Sequence, residues 1–349
     1  MIASSRTVPG FDAPPAELVD AERTRLGRFQ GPPPRANLID AAVGRWPRVV
    51  RRARLKEWQA LQVATPRFFL NLALFDARLM GLRQVKIYDR DRGVKYLHER
   101  KLRPGALAIA DQLVDSTNHH RDATGHLAFG NHWRAGTIEV DLAQAADAHA
   151  PSVRGTFTVH VDRGAAQVVS LPFARGSMYS TKGMFPVSGT LEIDGEPHAL
   201  AATDTLALLD DHKGYYPWVM EWDWVTSATF VDGEACGFNL TRNQVRDPER
   251  HNENCVWRGD RIGRLPAVTF ERERVGGPDE RWRIRDRAGQ VDVIFEPTVP
   301  GDVKVNAVIV KSKYRGPFGF FRGRLEPDGL PALSLDGWFG MGEAFWLRC

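Results

Sequence analysis

Thr156-Phe157-Thr158-Val159-His160-Val161-Asp162-Arg163-Gly164 decides how this chain is read. Phe157, Val159 and Val161 alternate with Thr156, Thr158 and His160, and an Asp-Arg-Gly group follows. Such alternation puts apolar side chains on one face of a strand and polar ones on the other. Asp-x-Gly then ends the strand in a turn. The figure recurs outward in both directions. Upstream, Phe68 to Asp76, Gln84 to Asp89 and Thr137 to Asp141 read as strands, with Asp91-Arg92-Gly93 as a turn. Downstream, Asp194-Gly195 is a turn. Beyond it the strand candidates are Ser227 to Val231, Ala235 to Leu240, Ala267 to Glu271 and Arg281 to Ile284. They continue with Val291 to Phe295, Val303 to Lys311, Phe318 to Leu325 and Leu333 to Arg348. Asp232-Gly233, Asp286 to Gly289 and Asp328-Gly329 supply hairpin turns between them. Two segments depart from the pattern. Ala16 to Phe29, between Pro14-Pro15 and Pro32-Pro33-Pro34, is a short helix candidate in a peripheral segment, read as an arm that wraps the body or a partly disordered lead. The Ala-rich Asp141 to Ala150 predicts a helical turn. Short turns and about eight strands in each half predict antiparallel sheets closed into small barrels, whose mouths hold one ligand.

Composition narrows the class. A chain of 349 residues, 43% of them hydrophobic, is long enough for two domains with full cores. A net charge of +4 is too small to argue for nucleic acid. The basic run Arg45, Arg48, Arg51, Arg52, Arg54 and Lys56 reads first as a solvated face, and second as a surface for an anionic partner. Cys236, Cys255 and Cys349 form neither a disulfide framework nor a zinc spacing. The N-terminus has no signal-peptide core, and Phe68 to Phe75 is far too short for a membrane helix. These features predict a soluble cytoplasmic protein without an integral membrane segment. Phosphate loops, dinucleotide fingerprints and the Gly-x-Ser-x-Gly elbow are missing, so the expected chemistry is cofactor-independent. His119, His120, His126 and His132 have no metal-ligand spacing, so no metal site is expected; they read as a polar loop or as histidines lining the first barrel.

The candidate site is Asp210-Asp211-His212-Lys213-Gly214-Tyr215-Tyr216-Pro217-Trp218, followed by Glu221-Trp222-Asp223-Trp224. Carboxylates, His and Lys beside large rings suit a ligand cleft better than a core strand. Asp211 walled by Trp222 and Trp224 would hold its proton near neutral pH and act as a general acid, with His212 as its proton partner. The rings would steady a developing cation. The same residues fit a structural role in which Asp211 ties a domain junction through Lys213. They also fit a sugar site pairing Asp211 with Glu253 or Glu343. Asn239, Glu253 and Asn254 form a second polar cluster, read as either ligand-orienting or turn-capping.

Several segments resemble the family catalogued as domain of unknown function 2804. They are Leu55-Lys56-Glu57-Trp58, Asp211 to Tyr215 with Trp222-Asp223-Trp224, Gly237 to Leu240, Glu253-Asn254, Phe318 to Gly323 and Gly340 to Glu343. The likeness runs from about residue 50 to the end. That family in turn resembles carotenoid 1,2-hydratase and tocopherol-cyclase-like proteins. The resemblance implies two lipocalin-like barrels and chemistry on hydrophobic, often isoprenoid, molecules. Lys213 stands where arginine is more often expected, which weakens bidentate anion binding. The expectation is therefore an all-β chain of two consecutive calycin (lipocalin-like) antiparallel barrels: an arm over residues 1–50 and β domains over 51–210 and 211–349. Asp211, His212 and Glu253 are the candidate catalytic residues. Lys213, Tyr215, Trp218, Trp222, Trp224, Asn239, Asn254 and Glu343 are the candidate ligand contacts near the junction. The ligand is a hydrophobic small molecule, an isoprenoid or lipid. The expected activity is of the hydratase, isomerase or cyclase kind. A non-catalytic lipocalin-like carrier is the alternative.

Overall fold

The computed structural model describes residues 10–274, 280–299, 302–306 and 311–348. The chain divides into two compact units. The first holds the residues up to Ser170 and Arg175–Tyr215; the second holds Leu171–Ala174 and the residues from Tyr216 onward. Each is built on one curled antiparallel sheet, of thirteen strands in the first and twelve in the second among the described residues. Both sheets curl into antiparallel barrels, as the alternating pattern predicted, and are lipocalin-like, as the family resemblance implied.

The main path of the first sheet starts at Val94–Leu102 and runs through Gly81–Asp89, Phe68–Asp76 and Lys56–Ala64 to Leu206–Gly214. It continues through Ser177–Ile193, Val153–His160, Thr137–Gln144 and Gly125–His132 to Ser116–Asp122. Alternate residues of these strands meet inside. Leu61, Val63, Leu70, Leu72, Phe129, Phe157, Phe185 and Leu209 belong to one buried apolar cluster. The two ends of the path meet through Arg83, 1% exposed. Its guanidinium donates to Gly125 O (2.6 Å), Thr124 Oγ1 (2.8 Å) and Asp122 Oδ1 (3.1 Å), and lies 2.9 Å from His120 Nδ1. A buried arginine is tolerated only when so many acceptors replace its water.

The second sheet runs from Arg261–Arg264 through Cys255–Arg258, Glu234–Arg242, Val219–Val231, Trp338–Arg348, Phe318–Leu325, Val291–Pro297 and Glu280–Arg285 to Thr269–Arg274. Its core is aromatic: Phe238, Trp282, Phe295 and Phe321 pack together, with Phe295 and Phe321 stacked at 4.7 Å between centroids. The turn chemistry holds at Asp194-Gly195 and Asp232-Gly233, where both residues have positive φ, as tight hairpins require. Gly164 is needed for another reason. Its φ of −155° is ordinary, but a Cβ there would lie 2.1 Å from Met184 O.

Four expectations are corrected. Ala16 to Phe29 is not helical: Val19–Asp20 pairs with Arg23–Thr24, and Gly27–Gln30 pairs with Ala165–Pro172. Strand pairing and burial against distant residues override the local helical tendency of this stretch. It packs as an arm that wraps the body: Leu18, Val19, Phe29, Leu38 and Val43 are buried against Leu55, Val168, Tyr179 and Tyr215. Asp141 to Ala150 begins as strand to Gln144 and then runs without helix. The His-rich segment is a hairpin of Ser116–Asp122 and Gly125–His132 rather than a loop. The strand candidate Val303 to Lys311 resolves as Asp302–Asn306 paired with Lys311–Arg315, with 307–310 outside the described residues. One helix was unforeseen: Arg48–Arg54, within the basic run.

Candidate functional site

The mixed composition of residues 210–214 argued against a core strand, yet Leu206–Gly214 is a strand with all nine residues buried. It lies between Lys56–Ala64 and Ser177–Ile193, with Asp211 opposite Gln59 and Thr181, and Lys213 opposite Glu57 and Tyr179. Strand geometry then splits the acid–base groups. Successive side chains point to opposite faces. Ala207 and Leu209 belong to the barrel core, so Asp211 and Lys213 continue that inner face, while Asp210 and His212 lie on the other. His212 is therefore not the proton partner of Asp211. Its ring stacks on Trp58 at 4.1 Å, and its nearby carboxylate is Asp210, with Nδ1 3.9 Å from Oδ1.

The two faces carry different electrostatics. On the outer face Asp210 lies 2.8 Å from Lys182 Nζ and accepts from Trp58 Nε1 (3.2 Å). Burial works against its charge, but Lys182 and His212 hold it well below the usual carboxylate range. On the inner face burial dominates. It pushes Asp211 up to about 6, with Lys213 opposing and Asp210 adding to the rise. Asp211 is 2% exposed, and its Oδ2 has no hydrogen-bond partner among the described residues.

Around Asp211 the inner face turns polar. Glu57, Gln59, Leu61 and Val63 share it, so one strand runs from polar to apolar along its length. Lys213 Nζ donates to Glu57 Oε1 (2.7 Å) and to Ala110 O (2.8 Å). Burial lowers the proton affinity of Lys213, and the charges of Asp211 and Asp111 oppose that. Arg78 pairs with Glu57 and with Asp76 (3.1 Å). Gln59 donates to Asn131 Oδ1 (2.7 Å) and accepts from Asn118 Nδ2 (2.6 Å). Tyr179 and Thr181 are joined through their hydroxyls at 2.6 Å. This network was not picked out from sequence. Its available signal was the period-two run Glu57, Gln59, Leu61, Val63.

The remaining expected residues belong to the second unit, Tyr215 excepted. Trp222 donates to Glu343 (3.2 Å), Tyr314 donates to the same carboxylate (2.7 Å), and Phe345 stacks on Trp222 at 4.1 Å. Trp224 Nε1 donates to Asn239 Oδ1 (2.6 Å), and Asn239 Nδ2 donates to Glu253 O (3.0 Å). Asn254 accepts from Thr241 N (2.7 Å) and donates to Pro266 O (2.8 Å). Asn239 thus links Trp224 to the Glu253 backbone from within the Glu234–Arg242 strand, and Asn254 ties Thr241 to Pro266. Glu253 Oε1 accepts from Asn243 (3.3 Å). Trp218 is 56% exposed. Asp211 is consequently in one unit, and Glu253, Glu343, Trp222 and Trp224 are in the other. Burial pushes the Cys236 thiol up to about 11, which removes it as a thiolate nucleophile. Cys349 lies outside the described residues. No group of three His, Cys, Asp or Glu converges as metal ligands among the described residues, and no helix there is long and apolar enough to cross a membrane.

A two-barrel β protein with an ionisable cluster at the polar end of its first barrel is the class these features define. The chain belongs to the family described as a domain of unknown function (DUF2804), which matches residues 22–348. Among solved structures, that of an AttH candidate from Nitrosomonas europaea is similar. It shares 16% identity with a TM-score of 0.50, over 83% of this chain and 92% of that one. Kievitone hydratase from Nectria haematococca is similar at 11% identity and a TM-score of 0.46, over 84% of this chain and 88% of that one. The first likeness speaks for the fold alone, and the second is too loose to argue from. Curated proteins provide no match.

Proposed function

We propose that the chain is a cofactor-independent acid–base enzyme of the hydratase or isomerase kind, acting on a hydrophobic small molecule at the polar end of the first barrel. The observation that carries this is Asp211: a buried carboxyl, raised to about 6, on the face it shares with the apolar barrel core. An apolar ligand that displaces remaining water raises it further and keeps it protonated at neutral pH. Asp211 then gives its proton to an alkene carbon. Water adds to the resulting cation and returns a proton to the carboxylate, which gives hydration. Loss of a neighbouring C–H proton to the same carboxylate gives isomerisation instead. Lys213, fixed by Glu57, stabilises the carboxylate formed in either course.

The test is native mass spectrometry of protein from its own host, followed by incubation of any released ligand with fresh protein in D2O. Deuterium entering the ligand, or addition of water to it, is the expected result. It should be lost in Asp211→Asn, with circular dichroism unchanged. A ligand that binds and returns unaltered supports the carrier instead, and turnover by Asp211→Asn at the native rate removes Asp211 from the chemistry.

A further inference from the structure

A cavity of about 70 Å3 opens in the first unit, walled by Arg48, Arg52, Arg78 and Asp111, with Ile39, Leu55 and Ile109 as apolar sides. One water-sized position takes roughly 10–15 Å3, so this space holds about five small heavy atoms. That is room enough for a carboxylate or phosphate group. The cavity adjoins the network already described, because Arg78 pairs with Glu57, and Glu57 with Lys213.

The ion pairs around the wall leave one of its three arginines out. Arg48 pairs with Asp40 (3.0 Å), and Arg78 with Glu57 and Asp76. Arg52 forms no ion pair with a carboxylate among the described residues. Instead, after burial, the charge of Arg52 is the next cause lowering the proton affinity of Arg78, with Asp111 opposing it. Two guanidinium groups repelling each other across a small void are stabilised by an anion placed between them. A second, independent observation lies beside them. The Tyr215 hydroxyl, on a residue 1% exposed, has no hydrogen-bond partner among the described residues. Burial holds it protonated, up to about 12, and it feels the charges of Arg51 and Arg78, then of Asp40 and Arg48. A neutral buried O–H without an acceptor, beside guanidinium groups, is a donor prepared for an oxyanion.

We propose that this cavity binds the anionic head group, carboxylate or phosphate, of an amphipathic ligand. The identity of the apolar part as substrate rests on the function proposed above; anion capture itself does not. Arg52 and Arg48 approach the head group from the Arg48–Arg54 helix, and Arg78 from the barrel. Arginine suits this role because its planar fork meets two oxygens of either group at once.

Calorimetric titration of the full chain at low ionic strength tests the proposal, with dodecanoate, dodecyl phosphate, dodecanol and inorganic phosphate as probes. The expected result is at least tenfold tighter binding of dodecanoate or dodecyl phosphate than of dodecanol, with Arg52→Gln losing most of that margin. Arg52 is exposed, so the variant should fold, and circular dichroism checks this. A free-anion site gives inorganic phosphate an affinity equal to that of dodecyl phosphate; a head-group site gives the amphiphile the advantage. Dodecanol binding as tightly as dodecanoate overturns the proposal, as does an Arg52→Gln variant with unchanged anion affinity. Asp211→Asn separates the two readings. It should keep the head-group preference, so loss of turnover with intact anion binding bears on the proton donor alone.

Discussion

Replacing Asp211 with asparagine should change how the first unit responds to pH more than how stable it is at any single pH. Asp211 is held at about 6 when folded, against an ordinary 3.8. A carboxyl whose proton is bound more tightly in the folded state stabilises the fold while protonated. That contribution is complete below the unfolded value, near 4, and is lost as pH rises through about 6. The full gap corresponds to about 3 kcal/mol, of which roughly 2.5 kcal/mol falls between pH 4 and 7. Asparagine cannot ionise, so the variant escapes this loss. Any misfit of the amide shifts the whole curve equally and leaves its slope untouched. The difference in melting temperature, variant minus native, should therefore rise by roughly 5–10 °C from pH 4 to pH 7, at about 2–4 °C per kcal/mol for a unit of this size. Lys213 loses a favourable neighbour in the variant, so the lower end of that range is expected. Thermal melts of both proteins at half-unit pH steps measure it. Parallel curves across that window would show that Asp211 is not held protonated by its surroundings, and the acid role would go with it.

Other substitutions probe the same framework. Glu57→Gln leaves Lys213 buried without its closest carboxylate, and should destabilise by about 3 kcal/mol in denaturant titration. Arg83→Met removes the donor that joins the two ends of the first sheet path, and a loss of about 2–4 kcal/mol is expected, read as a lower urea midpoint. Leu18→Ala, at a side chain with no exposure, should lower stability by about 2–4 kcal/mol, whereas a peripheral arm would show no change. Deleting residues 1–47 should accordingly give aggregated protein on size-exclusion chromatography, because it uncovers Leu55, Val168 and Tyr179.

Where the sequence was legible, one physical signal was at work. Alternation of period two is local, so Thr156 to Val161 or Phe318 to Leu325 declare themselves as strands without knowledge of their partners. The arm was misread because Leu18 and Phe29 owe their order to contacts with Val168 and Tyr179, more than a hundred residues away. The site was half legible for the same reason. Asp211 and Lys213 stood out by type, but the face they occupy is set by Leu209 and by pairing with Glu57 and Thr181, which single-residue reasoning does not reach. Treating Asp211 and His212 as a pair ignored the alternation that had identified the strands.

That alternation is also what gives the central strand its chemical asymmetry. Asp210 and Asp211 are the same residue type, adjacent and buried, yet their carboxyls are driven in opposite directions. Asp210 faces Lys182, the indole N–H of Trp58 and His212, and keeps its charge. Asp211 continues the face of Leu209, while the nearest cation, Lys213, is already bonded to Glu57 and Ala110 O. Two carboxyls with one strand between their environments can thus hold different protonation states at the same pH. Only the inner one combines an available proton with access to apolar surroundings, which acid catalysis on a hydrophobic molecule requires. A structural ion-pair network would gain from keeping both charged. The proton-donor role proposed for Asp211 rests on this contrast between the two faces.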